Sequence, residues 1–97
     1  MTKYRFTSAA LSELQEATLY YEQQEKGLGV KFLDEIEAAI DRILRFPRAW
    51  HPVSARSRRC RTHHFPFGLL YQIRTDEILI TAVLDLRRDP QRWQDKI

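Results

Sequence analysis

The sequence predicts an α+β domain in which an antiparallel helical hairpin packs on one face of a mostly antiparallel sheet, in the order βααβββ. Three observations carry this expectation. Apolar residues recur at helical spacing in the first half of the chain, they alternate at period two in the second half, and a proline-flanked stretch without period separates the two. The 97 residues leave no room for a second independent core, so residues 1–97 are expected to form a single domain.

Tyr4 to Phe6 reads as a short extended opening, and Thr7 or Ser8 offers a hydroxyl to cap the helix that follows. In that helix Ala10, Leu14, Ala17 and Tyr21 form one stripe while Glu13, Glu16 and Glu22 fall elsewhere. Gly27 suits a left-handed stop, and Gly27-Leu28-Gly29 is short enough to fold the next helix back alongside. The second helix is expected over residues 30–46, with Leu33, Ile36, Ile40 and Ile43 on its core face, flanked by Phe32, Ala39 and Phe46. Pro47 ends it, and residues 48–54 read as loop. A strand is expected over residues 58–63. After it, Phe67, Leu69, Tyr71 and Ile73 alternate with Gly68, Leu70, Gln72 and Arg74; beyond a turn at residues 75–77, Ile78, Ile80, Ala82, Leu84 and Leu86 alternate with Leu79, Thr81, Val83 and Asp85. Both strands are apolar on two faces for part of their length, as central strands are.

Composition narrows the function classes. With 43% hydrophobic and 30% charged residues the chain resembles a folded intracellular domain, and its longest apolar run, residues 78–84, is far too short to span a bilayer. The N-terminus lacks the apolar core of a secretory signal, so a cytoplasmic location is expected. One cysteine, Cys60, excludes an internal disulfide. The net charge of +3 conceals a strong asymmetry. Residues 8–41 hold eight acids against Lys26 and Lys31, a net of −6, whereas residues 42–64 hold seven arginines, no acid and all three histidines. The second block is a candidate surface for nucleic acid or an acidic protein.

Within that block, strand geometry predicts Arg59, Arg61 and His63 on one side and Arg58, Cys60 and Thr62 on the other. Guanidinium groups in a row suit phosphate or carboxylate, since each presents a planar fork of donors and keeps its charge; a solvated edge strand that resists pairing is the structural alternative. Arg87 and Arg88 follow directly on the last strand, where a rigid sheet could present them to a target, unless Asp85 or Asp89 simply pairs with them. Trp93 either stacks on a target or anchors the C-terminus. Cys60 with His51, His63 and His64 matches no standard zinc spacing, so no metal is expected and Cys60 reads as a small buried filler. There is no phosphate-binding glycine loop, no serine elbow and no nucleotide fingerprint, and no cofactor is expected.

The order Phe6, Ala10, Leu14, Tyr20-Tyr21, Gly27-Leu28-Gly29, Phe32, Ile36, Ile40, Ile43 and Pro47 resembles the opening of RelE/ParE-superfamily toxins. Arg58-Arg59, Phe65-Pro66-Phe67, Tyr71, Ile80-Thr81-Ala82-Val83 and Arg87-Arg88 with Pro90 and Trp93 are similar to their second half, so the resemblance covers nearly the whole chain. The acidic hairpin and the Phe-Pro-Phe and Arg-Arg-x-Pro-x-x-Trp elements resemble the ParE-like branch more closely. The resemblance implies a toxin of a type II toxin–antitoxin system, of the plasmid-stabilisation kind, held in a hetero-oligomer by a cognate antitoxin. ParE-like members inhibit DNA gyrase by binding it; RelE-like members cut mRNA on the ribosome. For the first activity Arg59, Arg61, Arg87, Arg88 and Trp93 are the expected target contacts, with Leu19, Tyr20 and Phe67 meeting the antitoxin. For the second, the same four arginines would hold phosphate while His63 or His64 moves the proton. The chain departs from RelE-type sites in having no lysine between Lys31 and Lys96 and no tyrosine after Tyr71, and Asp85 stands where many relatives have a histidine. A third reading is a member that has lost toxicity and persists as a binding module.

Overall fold

The computed structural model describes residues 3–88. Its elements are β1 (Tyr4–Phe6), α1 (Ser8–Gln24), α2 (Leu28–Arg45), β2 (His51–Pro52), β3 (Ser57–Arg61), β4 (Phe67–Ile73) and β5 (Ile78–Asp85). They form one five-stranded sheet in the order β1-β5-β4-β3-β2, antiparallel except for the β1–β5 pair. The predicted α+β architecture is therefore observed, with one addition. The stretch read as loop contains β2, whose two residues pair with Arg58 and Arg59 of β3. A two-residue strand holding a proline has no periodicity to detect, and an edge position tolerates the missing N–H.

The chain enters α1 directly from the sheet. The Thr7 backbone N–H donates to Ile80 O at 2.9 Å, and its side chain accepts from Ala10 N at 3.1 Å, so one residue closes the strand and caps the helix. Between the helices Gly27 adopts φ 89°, a left-handed turn that costs glycine little. The Glu22 carboxylate accepts from both Gly27 N and Gly29 N, fixing the corner. A Cβ at Gly29 would lie 3.0 Å from Thr18 O, so a side chain there would force α1 and α2 apart. The tight corner explains why α2 begins at Leu28 rather than at residue 30.

The buried stripe of α2 is Phe32, Ile36, Ala39, Ile40 and Ile43. Leu33, expected in the core, is 40% exposed and Phe46 is 63% exposed. The helix is thus turned toward its Phe32/Ala39 side, because the sheet supplies aromatic partners there. Tyr21, Phe32, Phe65 and Phe67 pack as one cluster with ring centroids 4.8–5.9 Å apart. Such edge-on and tilted contacts add to the area that the rings bury.

β4 and β5 fall out of simple alternation at Thr81. Tyr71 pairs with Ile80 and Leu70 with Ala82, so Thr81 is an extra residue on β5. The expected single face of Ile78, Ile80, Ala82 and Leu84 is therefore split. Ile78, Ile80 and Val83 lie in the core under the helices, while Ala82 and Leu84 join Leu70 in a second cluster with Val53 and Leu86 against it. β3 is also shorter than expected, because the Thr62 hydroxyl turns back to Phe65 O and Phe67 O and closes a loop before β4. Beyond residue 80, β1 no longer accompanies β5, and the Glu13 carboxylate accepts from Val83 N at 3.0 Å.

Phe32 is fully buried in this cluster, so Phe32→Ala is expected to cost about 3–5 kcal/mol, a large share of the stability of a domain this size. Leu33→Ala, one residue on, is expected to cost under about 1 kcal/mol. Urea unfolding of the two variants checks the rotation of α2: equal losses would place both side chains in the core.

Candidate functional site

Two candidate arginines are held at the end of β5. Asp85, the last residue of that strand, receives Arg87 through its backbone N–H at 3.1 Å, Nε at 3.0 Å and Nη2 at 2.9 Å, and Arg88 Nε lies 3.6 Å from the same carboxylate. Hydrogen bonds from Arg87 lower the Asp85 pKa, and the carboxylate in turn raises that of the guanidinium. Asp85, the residue that departs from the expected histidine, therefore positions Arg87. Beside them a groove of about 530 Å³ runs between α1 and β5, lined by Glu13, Glu16, Ala17, Tyr20, Phe67, Val83, Leu84, Asp85, Arg87 and Arg88. Tyr20 is half-exposed in it, whereas Phe67 is 6% exposed and belongs mainly to the aromatic cluster. Tyr21 is buried behind the groove with its hydroxyl unpartnered, and loss of hydration raises its pKa.

The histidines occupy a different place. Both lie in the loop after β3, so His63 does not share a strand face with Arg59 and Arg61. Glu35 of α2 clamps this loop: Oε1 accepts from the backbone N–H groups of His63 and His64 at 2.8 and 3.0 Å, and Oε2 lies 2.8 Å from His64 Nδ1. The His64 side-chain bond is the largest cause, ahead of the backbone bonds, in drawing the Glu35 pKa down to about 2. Sequence reasoning missed Glu35, because nothing local links residues 28 or 29 positions apart.

Arg59 and Arg61 alternate with Cys60, which is 1% exposed against Ala39 of α2, so the two arginines share the sheet face away from the helices. Burial pushes the Cys60 thiol pKa up, as suits a core filler. The Arg59 stem lies on Gly68, where a Cβ would come within 3.2 Å of Arg59 Cγ, and its Nε is buried without a partner. Leu19 stands elsewhere again, in an apolar groove of about 380 Å³ between the outer faces of α1 and α2, with Leu14, Thr18, Val30 and Leu33. Val30 and Leu33 went unrecognised as surface because their spacing also fits a core stripe. Trp93 and Asp89 lie outside the described residues. Among the described residues no group of three or more His, Cys, Asp or Glu is placed to hold a metal ion, and no helix is long and apolar enough to cross a membrane.

Residues 4–90 match the family described as the ParE toxin of the type II toxin–antitoxin system parDE. The chain belongs to the ParE toxin family. A solved structure titled the chromosomal ParDE toxin–antitoxin system from P. aeruginosa has a similar fold, with a TM-score of 0.61 and 15% identity over 86% of this chain and 94% of that one. No curated protein matches the chain by sequence. Membership makes an antitoxin partner part of what this ParE chain is built for. Leu19, Tyr20, Val30 and Leu33 are exposed on the helical hairpin.

The Glu35 clamp has a definite pH signature. A carboxylate whose pKa is depressed on folding stabilises the fold above its unfolded value and loses that contribution as pH falls toward the folded one. Stability should therefore decline between the ordinary carboxylate range and about pH 2. Glu35→Gln should be less stable at neutral pH and flatter through that window; urea midpoints measured against pH for both chains check this, and parallel curves would remove Glu35 from the account.

Proposed function

We propose that this ParE chain inhibits DNA gyrase by binding it, and that its antitoxin silences it by laying an apolar helical stripe in the groove between α1 and α2. The observation that carries the reading is the ParE family match over residues 4–90. The arrangement at the end of β5 supports it, because Asp85 holds Arg87 in a fixed fork and leaves Arg88 with only a longer contact, 3.6 Å, to the same carboxylate. Arg59 and Arg61 supply further cations on the sheet face opposite the helices, and Trp93 is proposed as a contact from sequence. A nuclease is less well supported. His64 is committed to Glu35, and the lysines and late tyrosine of RelE-type sites are missing.

The groove suits a helix because one wall, α1, gives Leu14, Thr18 and Leu19 and the other, α2, gives Val30 and Leu33, an apolar slot that a stripe at i, i+3, i+4 and i+7 fills. Cytoplasmic action follows from the target proposed.

Two assays run side by side test the target: supercoiling by purified gyrase, and mRNA cleavage on translating ribosomes. Inhibited supercoiling with intact mRNA is expected, and Arg87→Ala with Arg88→Ala should weaken inhibition by about tenfold or more. Cut mRNA with unaffected gyrase would overturn the reading, and a chain inert in both assays would mark a binding module without toxicity. Leu19→Asp should weaken antitoxin binding by roughly 10- to 100-fold and leave gyrase inhibition intact.

A further inference from the structure

The arginines of this chain fall into two sets. Arg5, Arg45, Arg87 and Arg88 each meet a carboxylate. Among the described residues, the other arginines have no ion pair, and several are held by neutral oxygens. Arg58 Nη1 donates to Arg48 O at 3.1 Å and to Trp50 O at 2.9 Å, while Arg74 Nη2 donates to Gln72 Oε1 at 2.8 Å. A neutral acceptor fixes a guanidinium without cancelling its charge.

Three of these uncompensated residues, Arg56, Arg58 and Arg74, line one concavity of about 360 Å³ between the β2–β3 turn and the end of β4. Among the described residues its lining contains no acid. Ser57 also lines it; that residue is 1% exposed, and its hydroxyl is buried with no hydrogen-bond partner. A hydroxyl left unsatisfied at a site walled by cations signals a missing acceptor. Of the nearest carboxylates in sequence, Glu77 is bound to Arg5 and Asp76 is not part of the lining.

We propose that this concavity is a phosphate-binding site that holds a backbone phosphate of a nucleic acid. Two features favour phosphate over the carboxylates of an acidic peptide. One guanidinium fork satisfies a carboxylate, as Arg87 does Asp85, whereas three arginines and a hydroxyl suit the several acceptor oxygens of a phosphate. Further uncompensated cations stand on the same strand at Arg59 and Arg61, on the sheet face opposite to Arg58, and a regularly charged polyanion carries enough phosphates to meet both sets whereas a single small anion does not. The phosphate contacts would fix where the chain sits on a strand and read no base sequence. The proposal needs no gyrase.

The test is equilibrium binding of the full chain to a short labelled DNA duplex across a series of salt concentrations, with no other protein present. Arg56→Gln with Arg74→Gln removes two cations from the concavity, both from exposed side chains; Arg5→Gln with Arg45→Gln removes two from elsewhere and serves as the charge-matched control. The first pair is expected to weaken binding by about tenfold and to reduce the salt slope by about two, with the control changing far less. Ser57→Ala keeps the charge and should still weaken binding measurably. Equal losses in the two double variants would overturn the proposal, since net charge alone would then explain binding. Displacement of the duplex by polyglutamate as readily as by unlabelled DNA would overturn it in favour of an acidic protein. Saturation by inorganic phosphate with no binding of the duplex would overturn it in favour of a small anion.

Discussion

Tyr21 from α1, Phe32 from α2 and Phe67 from β4 meet ring against ring, with Phe65 closing the group from the loop before β4. Two of the surfaces described above are placed by this contact. It turns α2 so that Leu33 faces outward and forms a groove with Leu19. It also seats Phe67 at the foot of the groove that ends in Asp85 and Arg87. Directional ring packing does this better than aliphatic packing, because the rings accept only a few mutual angles and so fix the rotation of both helices.

Around that cluster the charge is distributed by kind of partner as much as by sign. Asp85 and Glu35 each spend a carboxylate on holding one loop, the first gathering Arg87 and Arg88, the second gathering two backbone N–H groups and an imidazole. Around β3, by contrast, the side chains of Arg42 and Arg58 donate to backbone carbonyl oxygens. An ion pair on the surface contributes little to stability, whereas a braced and uncompensated cation keeps its field for a ligand.

Much of the fold was legible in the chain itself. The Ala10 to Tyr21 stripe, the left-handed Gly27 and the alternation after Phe67 each carry a local rule, and each yielded an element. What escaped depends on partners distant in sequence. β2 exists because β3 offers it two pairing positions, and the bulge at Thr81 follows from matching β5 to β4, which the sequence of β5 does not specify. At the candidate site Arg59, Arg61, Arg87 and Arg88 could be named from composition and position, and the structure divides them between two places. Glu35 and the Arg56–Arg74 concavity could not be named, because they arise only when α2 meets the β3–β4 loop and when β4 comes alongside β3.

The carboxylate of Glu13 has a bearing on how the chain behaves among its own copies. β1 ends after three residues, so the far half of β5 has no β1 partner beside a groove lined by both charged and apolar residues, and an unpaired strand edge is the kind of template on which identical strands stack. A negative side chain reaching in from α1 takes the Val83 N–H instead, and brings a charge that an incoming strand would have to desolvate. One residue of a helix thus brings a charge to this stretch of β5, and its replacement by an apolar residue is expected to make association between copies easier.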